Sequence, residues 1–323
     1  MKKLYVGVDL GGTNVRAGLI TDEGEILCTD SRKTLARESA EAPVNQIVDS
    51  IHAVMVEGGA TAGKISGIGI GSPGPLNARK GLILRAGNLP HWINFPLADT
   101  VRERTGIVTY IQNDANVFAL GEWWMGAGRG FDDFFAITLG TGIGGGAIVG
   151  GRLLTGFNDN ASEFGHTTID YKGAQDWCGQ RGCIEMYASA TGIVRITCEA
   201  LINEHIETVL APYRTKPEGL NAEVIFEAAS AGDEFAISMF DRAGYMLGIA
   251  LVNALNILNY QRVAVGGGLA QSGDLIFEPI KRAMRERGFQ SFIDDVSVVT
   301  AERPDVAAML GAVKMVIERE KEG

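Results

Sequence analysis

One arrangement occurs twice in this 323-residue chain, and it limits what the chain can fold into. Leu4 to Asp9 reads as a strand, Gly11-Gly12-Thr13 as a tight turn, and Val15 to Thr21 as a second strand. Asp22-Glu23-Gly24 makes a hairpin turn, and Glu25 to Cys28 a third strand. Phe134 to Leu139 then opens the same series again. A glycine turn follows over 140–146, Ala147 to Val149 continues as strand, Gly150-Gly151 turns, and Arg152 to Leu154 pairs back. A repeated meander predicts two related α/β domains facing each other. The length agrees, since it exceeds what one ordinary core fills.

Glycine turns of this kind present backbone N–H groups to phosphate oxygens, because nothing keeps the ligand at a distance. One such turn says little, as hairpins use glycine anyway. Two in matching places suit a polyphosphate held between two domains. The first carries an acid, Asp9, at its strand end, followed by Gly11, Gly12, Thr13 and Asn14; the second, Gly140, Thr141 and Gly142, carries none. The 43 glycines, against a usual share of ~7%, cluster at strand ends. Gly142-x-Gly144-x-x-Ala147 also fits a permissive dinucleotide fingerprint, but that needs a helix next, and Ala-Ile-Val-Gly-Gly-Arg-Leu-Leu reads as strand and hairpin. No G-x-x-x-x-G-K-[ST] is present.

Between the repeats, a helix over Pro43 to Glu57 precedes a buried strand from Lys64 to Ile70. Residues 76–96 read as loop, Leu97 to Thr105 as helix, Ile107 to Ile111 as strand, and Val117 to Met125 as helix. The polar stretch Asn113-Asp114-Ala115-Asn116 therefore lies where a strand stops and a helix starts, the end of a strand at which open α/β sheets bind ligands. On that stretch alone Asp114 reads as a helix cap or a functional carboxylate. After the second meander, helices fall near 188–203, 222–230 and 233–258. A buried strand, Arg262 to Val265, leads into Gly266, Gly267 and Gly268, either a strand-to-helix turn or a backbone-lined slot for a nucleoside. Leu275 to Glu286 and Asp305 to Glu320 are helical.

The densest constellation is Glu163, His166, Cys178, Cys183 and Glu185. His166 with the two cysteines supplies three zinc-type donors, with Asp176 as the nearest fourth. Two reduced thiols beside a surface histidine are the alternative. Asn88, Asn113, Asp114, Glu163, His166 and Glu185 together form a set of fixed polar side chains suited to vicinal hydroxyls. Trp92 reads as an ordinary, partly buried tryptophan.

A net charge of −10 argues against phosphate-backbone recognition, which runs on basic patches. No uninterrupted apolar run reaches the ~18 residues of a membrane span, and Met-Lys-Lys-Leu-Tyr-Val breaks at Asp9, unlike a signal peptide. With four scattered cysteines, the expectation is a cytoplasmic chain with no nucleic acid or membrane partner, and a dimer as the default assembly.

These motifs in combination resemble the ROK family of bacterial sugar kinases and sugar-responsive repressors. The resemblance rests on Asp9-x-Gly-Gly-Thr-Asn14, Gly67-Ile-Gly-Ile-Gly-Ser-Pro-Gly-Pro75 and Asn113-Asp-Ala-Asn116. It continues in Leu139-Gly-Thr-Gly-Ile-Gly-Gly-Gly146, Glu163-Phe-Gly-His166 and Cys178-Gly-x-x-Gly-Cys183-x-Glu185. It implies a two-domain actin-like ATPase fold, built from duplicated ribonuclease H-like domains about an interdomain cleft. The expected division is 1–113 plus 303–323, and 114–302 with the zinc-type loop at 163–185. It further implies ATP with phosphates on both glycine turns and the nucleoside near Gly266 to Gly268, Mg²⁺ held with Asp9, and Asp114 as catalytic base. Asn88, Asn113, Glu163, His166 and Glu185 match sugar-contacting positions. The activity implied is phosphorylation of a hexose, glucose at its 6-hydroxyl first, with fructose, mannose, allose or N-acetylmannosamine as alternative substrates, or a non-catalytic sugar-responsive regulator. The family's structural zinc motif carries Cys-x-Cys-Gly-x-x-Gly-Cys; here Asp176 stands for the first cysteine. The family's repressors carry a helix-turn-helix segment that has no counterpart in this sequence.

Overall fold

The structure is a computed structural model describing residues 2–203, 206–291 and 293–322. Two compact units divide the chain: Met1–Ala136, Gly146–Ser162 and Ala301–Gly323 form the first, Ile137–Gly145 and Glu163–Thr300 the second.

The first unit opens with β1 (Leu4–Leu10), β2 (Asn14–Thr21), β3 (Ile26–Lys33), α1 (Glu41–Glu57) and β4 (Ile65–Ser72). Three short strands follow, β5 (Leu76–Asn77), β6 (Leu82–Arg85) and β7 (Ile93–Phe95), then α2 (Leu97–Thr105), β8 (Thr109–Asn113) and α3 (Asp114–Met125). The main sheet has the order β3-β2-β1-β4-β8, antiparallel across the meander and parallel from β1 through β4 to β8. Period-2 alternation sorts its faces. Val6, Val8 and Leu10 join Ile47, Ile51 and Val54 of α1 in one apolar core. Gly7 and Gly69 lie against backbone carbonyls of Met309 and Ala312, so the last helix sits directly on the other face.

The second meander supplies β9 (Phe134–Leu139), β10 (Ile143–Val149) and β11 (Arg152–Leu153). Short helix α4 (Glu185–Ala188) and helices α5 (Ala190–Asn203), α6 (Ala222–Ser230) and α7 (Glu234–Leu258) follow, then β12 (Arg262–Gly266), α8 (Asp274–Arg287), β13 (Ser297–Thr300) and α9 (Ala307–Glu322). Its sheet has the order β11-β10-β9-β12-β13, the same sequence of positions as the first. The repeat read from the glycine turns is thus a repeat of strand order as well.

Four local expectations change. The region 76–96 is not wholly loop: β5, β6 and β7 pair into a small antiparallel sheet, too short for alternation to reveal. Trp92 is fully buried, stacked on Phe95 and donating to the Ala40 carbonyl. The second glycine turn is shorter than 140–146, because Gly144 to Gly146 continue β10. A side chain at Gly146 would run into Ala119 and the Ala115 carbonyl of α3. Finally, the division at 113/114 is replaced: α3 belongs to the first unit. There it crosses α9 with Gly121 against the Ala307 carbonyl and Gly311 against the Val117 carbonyl.

Helix α7 is long and apolar enough to cross a membrane, yet 61% of its apolar window is buried in protein. Asp233 caps it by accepting from the Ala236 N–H, and Phe240, Leu247 and Leu251 fill the core.

Candidate active site

In the first unit, parallel pairing brings the carboxyl ends of β1, β4 and β8 to one edge. Asp9 is in register with Gly71, and Ser72 with Asn113. The Asn113 side chain accepts from the N–H groups of Ala115 (2.9 Å) and Asn116 (3.3 Å), so Asn113 caps α3. The cap is therefore Asn113 and neither Asp114 nor Asn116. Asn113 still has extended backbone, the geometry a capping side chain needs, whereas Asn116 is already in the first turn. Asn116 is buried and donates to Gln112 Oε1 instead.

Asp114 opens α3, one oxygen accepting the Ala115 N–H at 2.9 Å. Burial holds its carboxyl above the usual range, against the opposing effect of that N–H. Asp9 is pushed up to about 6, first by burial, then by the charge of Asp114, with Arg16 pulling the other way. The adjoining turn is fixed from within. The Gly11 N–H donates to Asn14 O (2.9 Å), Thr34 Oγ1 to Gly11 O (2.7 Å), and the Thr34 N–H to Thr13 O (2.9 Å). A Cβ on Gly12 would come 2.8 Å from Asn88 Cβ, so the turn and this exposed asparagine are in direct contact.

In the second unit, the Gly140 N–H donates to Gly142 O (3.0 Å), the Ala190 N–H to Gly140 O (2.9 Å), and Thr191 Oγ1 to Thr141 O (2.7 Å). Glu185 reaches into this turn: its Oε2 accepts the Ile143 N–H at 2.7 Å and abuts Gly142. Its Oε1 accepts from Trp177 Nε1 at 3.2 Å. Gly267 takes φ +91° and lies against the Leu139 carbonyl, an approach and a backbone that only glycine suits. Beside it a cavity of about 460 Å³ is bounded by Gly140, Thr141, Gly268, Phe226, Glu223 and Gln271. Glu163 is exposed, and its carbonyl accepts the His166 N–H at 3.1 Å.

His166, Asp176, Cys178 and Cys183 gather with one donor atom each inside 4.8 Å. His166 Nδ1 is 2.9 Å and Cys178 Sγ 3.2 Å from the same oxygen, Asp176 Oδ2, and the two sulfurs are 3.6 Å apart. Burial alone would raise the Asp176 carboxyl, but hydrogen bonds from Cys183, Cys178 and His166 outweigh it and hold it below the usual range. Its other oxygen is buried with no partner among the described residues. A histidine, a carboxylate and two thiols converging so closely, with one oxygen orphaned, fit a tetrahedral zinc ion.

Two residues escaped the sequence reading. Trp177 stands between two metal-type donors, 72% exposed and edge-on to His166. Its position inside that motif was the available signal. Glu122 is fully buried and accepts from the N–H groups of Ala127, Glu302 and Arg303. Two of these partners, Glu302 and Arg303, lie about 180 positions away, and local pattern gives no hint of them.

Two five-stranded sheets of matching strand order, each with a glycine turn after the first strand of its meander, make this an actin-like ATPase fold. Residues 5–319 match the ROK family, and the chain belongs to it. It is 38% identical over 320 residues to a glucokinase of Thermotoga maritima, covering 99% of both chains. Among solved structures it resembles a ROK family glucokinase from Streptomyces griseus in complex with glucose and AMPPNP. That match has a TM-score of 0.79 and 32% identity over 98% of this chain and 99% of that one. The ROK hexokinase from Thermus thermophilus superposes with a TM-score of 0.83 at 28% identity, over the full length of both.

Proposed function

We propose that this protein is an ATP-dependent hexose kinase that phosphorylates glucose at its 6-hydroxyl in the cytoplasm, working as a dimer. The observation that carries this reading is Asp114, a buried carboxylate at the carboxyl end of β8 whose proton affinity is raised by that burial. A base so tuned accepts a hydroxyl proton with better driving force at working pH. Two full-length relatives with glucokinase names, one holding glucose and AMPPNP, support the choice of sugar and donor.

In this reading Asn88, Asn113, Asp114, Glu163, His166 and Glu185 are the side chains that hold the sugar's hydroxyls. Gly11, Gly12, Thr13, Asn14, Gly140, Thr141 and Gly142 hold phosphates, and the cavity beside Gly266, Gly267 and Gly268 holds the nucleoside. Phosphoryl transfer asks for positioning and charge stabilisation more than for covalent chemistry. Asp114 takes the 6-hydroxyl proton as that oxygen attacks the terminal phosphorus, and the bond from that phosphorus to the bridging oxygen breaks, ADP leaving with the electron pair. Asp9, a carboxylate strained by burial and a neighbouring charge, is the side chain to hold Mg²⁺, which neutralises phosphate charge when bound. His166, Asp176, Cys178 and Cys183 would hold zinc, whose contribution there is to fix the 163–185 loop.

A coupled assay of ADP release across a hexose panel tests the proposal. Glucose should give the highest kcat/KM. A different hexose leading by tenfold or more would replace the substrate, and no sugar-stimulated release at all would overturn the reading. Light scattering at micromolar concentration tests the dimer.

A further inference from the structure

Each of the two repeats places a residue of the proposed sugar set against its own phosphate turn. In the first, Asn88 abuts Gly12. In the second, the link is a hydrogen bond and a charge: Glu185 Oε2 accepts the Ile143 N–H at 2.7 Å and lies against Gly142. The same carboxylate accepts from Trp177 Nε1 at 3.2 Å, and Trp177 is packed edge-on to His166. A carboxylate is therefore seated against the turn that a nucleotide phosphate would use, holding the Ile143 N–H at its end, within the second unit alone.

We propose that Glu185 gates nucleotide binding by sugar occupancy. With no sugar bound, its negative charge sits on the turn at Gly142 and Ile143 and repels an incoming phosphate at close range. Sugar hydroxyls donating to the carboxylate spread that charge and draw it off the turn, and the phosphate then finds its amides available. The two ligands thus bind with positive coupling, and by reciprocity the nucleotide tightens the sugar by the same factor. The physiological gain is suppression of ATP binding, and hence of idle hydrolysis, while sugar is absent. Gly142 is part of the device, because a side chain there would displace the carboxylate.

The inference rests on the kinase reading above, but its test is separate. AMPPNP affinity is measured by calorimetry on the intact protein with and without saturating glucose. The wild type should bind AMPPNP at least about fivefold more tightly with glucose, the lower end of ordinary allosteric couplings. Glu185→Gln keeps an acceptor for the Ile143 N–H but removes the charge. It should bind AMPPNP more tightly than wild type in the absence of sugar and lose the coupling, with an unchanged melting profile showing that it folds. Trp177 fluorescence, with Trp177→Phe as the blank, should shift when glucose binds. Equal AMPPNP affinity with and without glucose in wild type, or a Glu185→Gln variant no tighter than wild type without sugar, overturns the gate. Normal glucose-dependent ADP release beside either result would leave the kinase reading intact. Absence of any sugar-stimulated release would sink that reading alone, since the sugar-free comparison of the two proteins does not need a substrate.

Discussion

Asp9 and Asp114 stand at two strand ends of the same sheet edge, and burial raises the proton affinity of both, with the charge of Asp114 adding to the rise at Asp9. For Asp9 the folded-state value of about 6 exceeds the ordinary 3.8, so the folded protein binds more protons than the unfolded chain between those limits. Stability therefore falls as pH rises through that window and is flat above it. Asp9→Asn should raise the unfolding free energy at pH 7.5 by on the order of 2–3 kcal/mol, two pH units' worth of proton affinity, while losing activity. A thermal melt of the ligand-free protein checks it, and an unchanged or lower Tm contradicts the assignment. Wild-type activity should decline below about pH 6 as Asp9 takes a proton. Asp114→Asn should keep sugar affinity within a few-fold and lose roughly 10²–10⁴ in kcat, the usual worth of a general base. Near-normal turnover in that variant removes Asp114 from the chemistry. At this scale the sequence was informative about kind and poor about partner. Asn113 and Asn116 are the same side chain three residues apart, and only backbone direction tells which one caps.

At the scale of elements, the contact between α3 and α9 is close because glycines meet carbonyls on both sides. Gly311→Ala would force a methyl into the Val117 carbonyl and should cost about 1–3 kcal/mol or more, as overpacking does. Gly268→Ala is the matched control: nothing lies within 4 Å of the added methyl, so its Tm should hold. If the cavity beside Gly268 takes the nucleoside, the same substitution should raise the KM for ATP. The metal loop allows a second comparison. Protein purified without chelator should carry one zinc per chain by elemental analysis, and Asp176→Ala should lose it at chelator concentrations that leave wild type loaded. Zinc-free wild type with an unchanged Tm would show that the loop closes by its own hydrogen bonds. The long strands and helices were legible because their apolar spacing runs over several periods. The strands β5 to β7 run for two to four residues, and β13 for four, too few for a period to register.

For the whole molecule, the duplication was legible because both copies keep glycine where backbone must approach a neighbour or a ligand. The division into units was less so. It depends on which surfaces α3 and α9 share, and that pairing joins positions nearly two hundred residues apart. Ligand linkage gives a test at this scale. Glucose at 100 times its Kd should stabilise the folded state by roughly 2.7 kcal/mol. Xylose, which lacks the 6-hydroxymethyl group, should give a smaller shift in Tm. The first unit also has a consequence for biosynthesis. It takes residues 301–323 as well as 1–136, and every residue of the second unit is translated between them. The second unit can therefore condense on the ribosome while the first still lacks α9, leaving the backing of the helix that begins at Asp114 exposed. A nascent chain stalled before residue 301 should be a client for chaperones and catalytically silent, and release of the final helix is what starts the enzyme.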